Sequence, residues 1–296
     1  MSLPQRIAIT GASGLIGTAL VGHLKSEGHT VQRLVRRKAL SPDEVFWDPR
    51  SGDIDLAALE GVDAIIHLAG ANVGDKRWTK KYRAEILNSR LLGTTTIANA
   101  VSTLKPDVFI SASAIGWYGE TGNRAVSESD RPGDDFLAAV CKQWEAASDL
   151  ATDTRVVKIR TGLVLDSTGG ALGKMLPLFK FGVGGKLGNG KQWWSWITLH
   201  DLVEAICFLL EKPVRGAVNL TAPNPATNQE FTSALARALK RPALIPVPGF
   251  ALKVALGGFS SEVLGSKKVL PTALLDAGFN FDYPHLAPAL SALLAE

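Results

Sequence analysis

Three glycines at a spacing of three, in "ITGASGLIG" at 9–17, directly follow the apolar run "RIAIT" and open the amphipathic stretch "LIGTALVGHLKSEG". A strand that feeds a helix through such a turn starts a parallel βα unit, and few other folds tolerate it. Gly11 permits a tight turn, Gly14 lets a pyrophosphate approach the backbone, and Gly17 lets the helix pack closely on the strand. Ser13, Leu15 and Ile16 fill the turn between them and count as further cofactor contacts. The helix N-terminus offers free N–H groups and a partial positive charge to phosphates. Ile16, Leu20 and Leu24 share one helical face, and Gly28 suits the helix stop. The context predicts a dinucleotide site.

The following segments repeat the alternation. "TVQRLVR" reads as a strand, "WDPRSGD" as a turn, "AIIHLAG" as a strand, roughly 80–103 as a long helix and "DVFISASA" as a strand. A polar loop, the helix "DFLAAVCKQWEAAS" and a strand "RVVKIRTGLVL" at 155–165 follow. Continuous β-branched and apolar strands separated by helices describe a parallel sheet covered on both faces. The fold class is α/β: a Rossmann-type, doubly wound parallel sheet with a smaller C-terminal α+β domain. Glycine and proline become frequent after residue 166, which places the nucleotide-binding domain at 1–165 and the substrate-side and tail domain at 166–296, with an interleaved boundary.

About 20 residues past the glycine motif, an acidic residue would clasp the ribose 2′-hydroxyl of NAD. This chain carries "LVRRK", so Arg36 and Arg37 are placed to neutralise the extra phosphate of NADP. The net charge is only +4 and no basic run exceeds "RRK", so a nucleic-acid partner is not expected. No apolar stretch reaches the roughly 18 residues that span a bilayer, so no membrane partner is expected either. "MSLPQRIAIT" enters a strand without a leader, and two distant cysteines suggest no disulfide framework. A cytoplasmic location is expected. The five histidines show no metal-ligand spacing.

"TGASGLIG", "IIHLAG" and a strand ending in "SASA" resemble the extended short-chain dehydrogenase/reductase superfamily. "WDP", "RW", "NSR", "QWEAA", "SWI", "TAPNPATNQEF" and the tail "VLPTALLDAGFNFDYPHLAPAL" resemble its epimerase-like branch over nearly the whole chain. The resemblance implies NADP along the carboxyl ends of the strands, with Leu68, Ala69 and Gly70 on the adenosine side. It also implies Glu85 and Arg90 approaching from the next helix, and Val164 at the nicotinamide end. A small polar substrate, nucleotide-linked or not, would enter the interdomain cleft, and a homodimer is compatible with the branch.

Dehydrogenases of this superfamily use a tyrosine with a lysine four residues on. Aligning on Glu145 puts Leu137 and Cys141 at those positions, and neither can do that chemistry. Lys142 is one residue late, rotated by about 100° on a helix. Ser113 (or Ser111) and Tyr118 are the substitute catalytic candidates, although packing beside Trp117 is the stronger reading of Tyr118. Cys141 reads as an ordinary buried thiol. In "QWWSWITLHDL", Trp196 and Ile197 suit a domain seam, leaving Trp193 or Trp194 for a pocket. Asp201 reads as an N-cap beside His200, a structural pair. Two functions compete: an NADP-dependent oxidoreductase or epimerase, and a non-catalytic NADP sensor or partner-binding protein.

Overall fold

The computed structural model describes residues 3–243 and 245–295; Met1 and Ser2 of the amino-terminal segment lie outside them. In β1 (Arg6–Thr10) every residue after Arg6 is buried, as a central parallel strand requires. Gly14 starts α1 (Leu15–Ser26), which buries Gly17, Leu20 and Leu24 and stops at Gly28 with φ +88°. Next come β2 (Thr30–Val35), β3 (Glu44–Asp48), the short β4 (Asp53–Ile54) and β5 (Ala64–His67). The long α2 (Lys80–Leu104), β6 (Val108–Ala114), β7 (Ala125–Val126), α3 (Phe136–Ser148) and β8 (Arg155–Thr161) complete the first half.

Here the structure corrects the sequence reading twice. "EVFWD" is a strand whose last two residues were expected to start the turn "WDPRSGD"; Glu44, Val45 and Trp47 are buried in it. The expected strand over 155–165 breaks at Gly162, where a Cβ would stand 2.5 Å from the Ser195 carbonyl oxygen. Its last residues form β9 (Leu163–Leu165), which pairs in parallel with β11 (Trp196–Thr198).

Beyond it lie α4 (Gly170–Lys180), β10 (Trp193–Trp194), α5 (Leu199–Glu211), β12 (Gly216–Leu220), β13 (Ala226–Thr227) and α6 (Asn228–Ala238). The tail holds α7 (Gly249–Leu256), α8 (Ser260–Leu264), β14 (Lys268–Val269), α9 (Thr272–Asp276) and α10 (Leu286–Leu293). The main sheet has the order β12-β8-β6-β5-β1-β2-β3-β4, parallel except for β4. Residue 165 is therefore crossed: β12 completes the sheet and α5 packs beside α1 on one of its faces. Ile97, Ala98 and Val101 of α2 cover the other face. Strand order reverses between β1 and β5, and their carboxyl ends define the crevice where such sheets bind ligands.

Candidate nucleotide-binding and active site

Gly11, at φ +69°, has no room for a side chain: a Cβ would lie 2.9 Å from the Leu68 carbonyl carbon. At Gly17 it would lie 2.2 Å from the Gly11 carbonyl oxygen. The turns after β1 and β5 thus touch through backbone, which brings Leu68 and Ala69 against the glycine motif. Thr10 fastens the contact. Its Oγ1 accepts from the amides of Leu68 (3.1 Å) and Ala69 (3.2 Å), so its own proton points to His67 Nδ1 at 2.8 Å. His67 is fully buried, and desolvation drives its imidazole down to about 3, so it stays neutral. No side chain caps α1 at Gly14 and no acid occupies its first turn, which leaves a helix N-terminus open to an anion.

A cleft of about 610 Å³ opens beside this turn, bounded by Ala12, Ser13, Arg36, Arg37, Asp48 and Arg50. The two arginines read from "LVRRK" part company here. Arg37 grips Glu44 with both guanidinium arms, at 2.7 and 2.6 Å, and holds that carboxyl low, at about 2. Among the described residues, the guanidinium of Arg36 has no protein acceptor. Nor has that of Arg50, which sequence reasoning missed. Its only signal was the turn "WDPRSGD", and only the β3 pairing carries that turn to the cleft.

Arg90 lies under the turn that follows β5. Its Nη1 donates to the carbonyls of Ala71 (2.8 Å) and Ile86 (3.1 Å), its guanidinium stacks 4.8 Å from the Trp144 ring, and a Cβ on Gly70 would sit 3.5 Å from it. Glu85 is exposed on α2, with Lys76 at 3.9 Å. Val164 lies in β9 opposite Ile197, and the neighbouring Gly169–Gly170 corner rests on Leu15 of the motif.

Around the position of the absent tyrosine–lysine pair, Leu137 and Cys141 are buried and pack on Gly116. Burial pushes the Cys141 thiol up to about 12, so no thiolate forms there near neutral pH. The substitute candidates join one buried network. Glu145 receives Arg160 through both oxygens, at 2.8 and 2.9 Å, and also accepts the Ser113 hydroxyl at 2.7 Å. Tyr118 donates to Asn219 Oδ1 at 2.7 Å and accepts from Arg160 at 3.0 Å. It is 3% exposed, and burial raises its phenol to about 12. Trp117 stacks on Arg160 at 3.9 Å. Both hydroxyls are thus occupied by protein partners; the Ser111 hydroxyl is buried without one.

Trp196 and Ile197 are buried, one in each of two core clusters, as a seam requires. Trp194 packs edge-on against Phe231, while Trp193 bonds Asn123 and carries Lys268 over its ring at 4.1 Å. The expected N-cap at Asp201 is corrected: Thr198 caps α5, and the Asp201 carboxylate accepts the amides of Asp282 and Tyr283. His200 pairs with Asp282 at 2.6 Å, not with Asp201.

Residues 7–140 match the model of the NAD dependent epimerase/dehydratase family, and residues 247–293 match a domain of unknown function, DUF1731. The epimerase family protein ML0860 of Mycobacterium leprae is 43% identical over 289 residues, 96% of this chain and 94% of that protein. The human epimerase family protein SDR39U1 is 35% identical over 300 residues, 98% of this chain and 100% of that one.

The chain belongs to the NAD dependent epimerase/dehydratase family.

The crystal structure of human SDR39U1 (isoform 2) with NADPH superimposes on this epimerase-family chain with a TM-score of 0.91 at 33% identity, covering 98% of this chain and 99% of that one. A nucleoside-diphosphate sugar epimerase from Corynebacterium glutamicum gives 0.79 at 35% identity, over 98% of this chain and 58% of that one. The fold class read from the sequence is therefore the observed one, and the chain is an NAD(P)-binding, epimerase-like protein. Among the described residues no helix is long and apolar enough to cross a membrane.

Proposed function

We propose that this protein binds NADP(H) across the carboxyl ends of β1, β2 and β5, and that Arg36 meets the adenosine 2′-phosphate. One observation carries the reading. Arg36 borders the cleft beside an uncapped helix N-terminus and has no acceptor among the described residues, while Arg37 is held by Glu44. Gly11 and Gly17 let the turn close backbone against backbone where a Cβ could not fit, and the N-terminus of α1 at Gly14 stays uncapped, so the residues suit the nucleotide. Arg50 supplies a second guanidinium to the same phosphate. Leu68, Ala69 and Gly70 line the ribose side, Arg90 sets the turn beneath it, and Val164 borders the nicotinamide end. Glu85, which faces solvent, is assigned only an outer contact to the bound nucleotide.

The family reading is an oxidoreductase or epimerase acting on a small polar substrate in an interdomain cleft. When bound, the nicotinamide supplies hydride transfer. The chain's own contribution lacks a tyrosine–lysine relay: Leu137 has no ionisable group, the buried Cys141 thiol keeps its proton near neutral pH, and Ser113 and Tyr118 are bonded inside the protein. That geometry favours a second reading, an NADP(H)-binding sensor or partner-binding protein without turnover.

Calorimetric titration with NADPH and NADH tests the binding. Arg36→Ala should weaken NADPH about 10- to 100-fold and leave NADH nearly unchanged, as expected for loss of a charge-assisted contact. Equal loss for both nucleotides refutes the assignment. Following reduced-nicotinamide absorbance with carbonyl compounds and sugar nucleotides, together with product analysis, separates the readings. Turnover supports the enzyme, and binding without any product supports the sensor.

A further inference from the structure

Between Asp166 and Asp201, and again between Glu230 and Glu262, the chain carries no carboxylate side chain, although lysines and arginines recur throughout. The fold lays these two distant stretches side by side. Val247 N donates to Lys186 O and Gly188 N donates to Val247 O, both at 2.8 Å, and Gly185 has no Cβ because one would strike the Ile245 carbonyl at 1.8 Å. Acid-free backbone is thus concentrated on one part of the molecule.

The same stretches expose large apolar side chains: Phe181 is 83% accessible, Phe250 73% and Val254 71%, with Ile245, Leu178 and Val183 about half exposed or more. Phe250 and Val254 lie one turn apart on α7, a helix of eight residues that buries none of them. Lys180, Lys240, Arg241 and Lys253 stand exposed on the same two stretches, and among the described residues none has an ion-pair partner. Neither the nucleotide cleft nor a smaller cleft of about 370 Å³ near His23 and His200 includes any of these residues.

We infer that this face docks on the surface of an anionic lipid bilayer. Protruding aromatic and aliphatic side chains among unpaired cations match the boundary between acidic headgroups and acyl chains. Spanning and surface docking are separate demands, and surface docking does not require a long apolar helix, which the described residues lack. A second copy of the chain suits the face less well, since a two-fold contact would set lysine against lysine. A helical peptide would need a groove, and neither cleft supplies one here.

Sedimentation with sucrose-loaded vesicles tests the inference. Vesicles of phosphatidylcholine with about 30% phosphatidylglycerol should carry down the full chain, and pure phosphatidylcholine should not. Raising salt to about 0.5 M should release it. The double variants Phe250→Ser/Val254→Ser and Lys180→Glu/Arg241→Glu should each reduce the bound fraction about tenfold. All four side chains are exposed, so unchanged calorimetric NADPH binding and thermal melting serve as folding controls. No sedimentation with anionic vesicles, equal sedimentation with neutral ones, or binding indifferent to both variants overturns the inference. Concentration-dependent dimerisation that Phe250→Ser/Val254→Ser abolishes, without vesicle binding, assigns the face to self-association instead.

Discussion

Two glycines of α1 show how differently one residue type can be constrained. Gly17 cannot carry a methyl group without striking the Gly11 carbonyl, and backbone on both sides cannot give way. Gly17→Ala should therefore destabilise the fold by about 3 kcal/mol and weaken NADPH binding, read by thermal melting and calorimetry. Gly22, in the same helix, has nothing within 4 Å of a built Cβ. Gly22→Ala should instead stabilise by about 0.5–1 kcal/mol, through a less flexible unfolded chain and better helix propensity. His67 gives a pH signature. Folded, it titrates at about 3; unfolded, at its ordinary value near 6.5, so the unfolded state binds the extra proton between those limits. Its contribution is complete above about pH 6.5 and is lost as pH falls toward 3, with a slope of up to about 1.4 kcal/mol per pH unit. Denaturant melts between pH 6.5 and 5, above most carboxylate titrations, should show this decline, and His67→Gln should flatten it.

At the scale of elements, caps and breaks were only partly legible. The helix over 80–103 was visible from its pattern and is observed over Lys80–Leu104, capped by Thr79. The start of α5 was misread because Asp201 and Thr198 are both good capping types, three residues apart. The fold settles the choice by giving the Asp201 carboxylate to the amides of Asp282 and Tyr283. Thr198→Ala should cost about 1 kcal/mol in thermal or chemical denaturation, as for other buried caps. Asp201→Asn, which keeps one acceptor oxygen, should loosen the 282–283 segment, detectable as faster amide exchange at those two residues. β3 was missed for another reason. A glutamate is seldom buried, and the burial of Glu44 depends on Arg37, Arg33 and the Leu40 amide, all from outside the strand.

Over the whole molecule, the buried ion pair of Glu145 and Arg160 joins five segments of the chain. Through Ser113, Tyr118 and Asn219 it ties β6, the loop after it, α3, β8 and β12 together. Glu145→Ala would strand a buried guanidinium and should cost about 3–5 kcal/mol of stability. Tyr118→Phe should cost about 1 kcal/mol in denaturant melts while leaving NADPH affinity unchanged, because its hydroxyl serves this network.

Local chemistry made the first βα unit and the parallel sheet legible. Strand periodicity, glycine spacing and helix signals all act within about 20 residues, so the sequence alone determined the dinucleotide fold and the arginine-rich turn after β2. Which arginine stays free was decided only in three dimensions, because Glu44 reaches Arg37 through the pairing of β2 with β3. The same holds for Arg50 in the cleft, for the hydroxyls enclosed around Arg160, and for two acid-free stretches that meet at Lys186 and Val247, 61 residues apart in the chain. A buried charge or an exposed phenylalanine depends on which distant partner arrives, and no local pattern encodes that arrival.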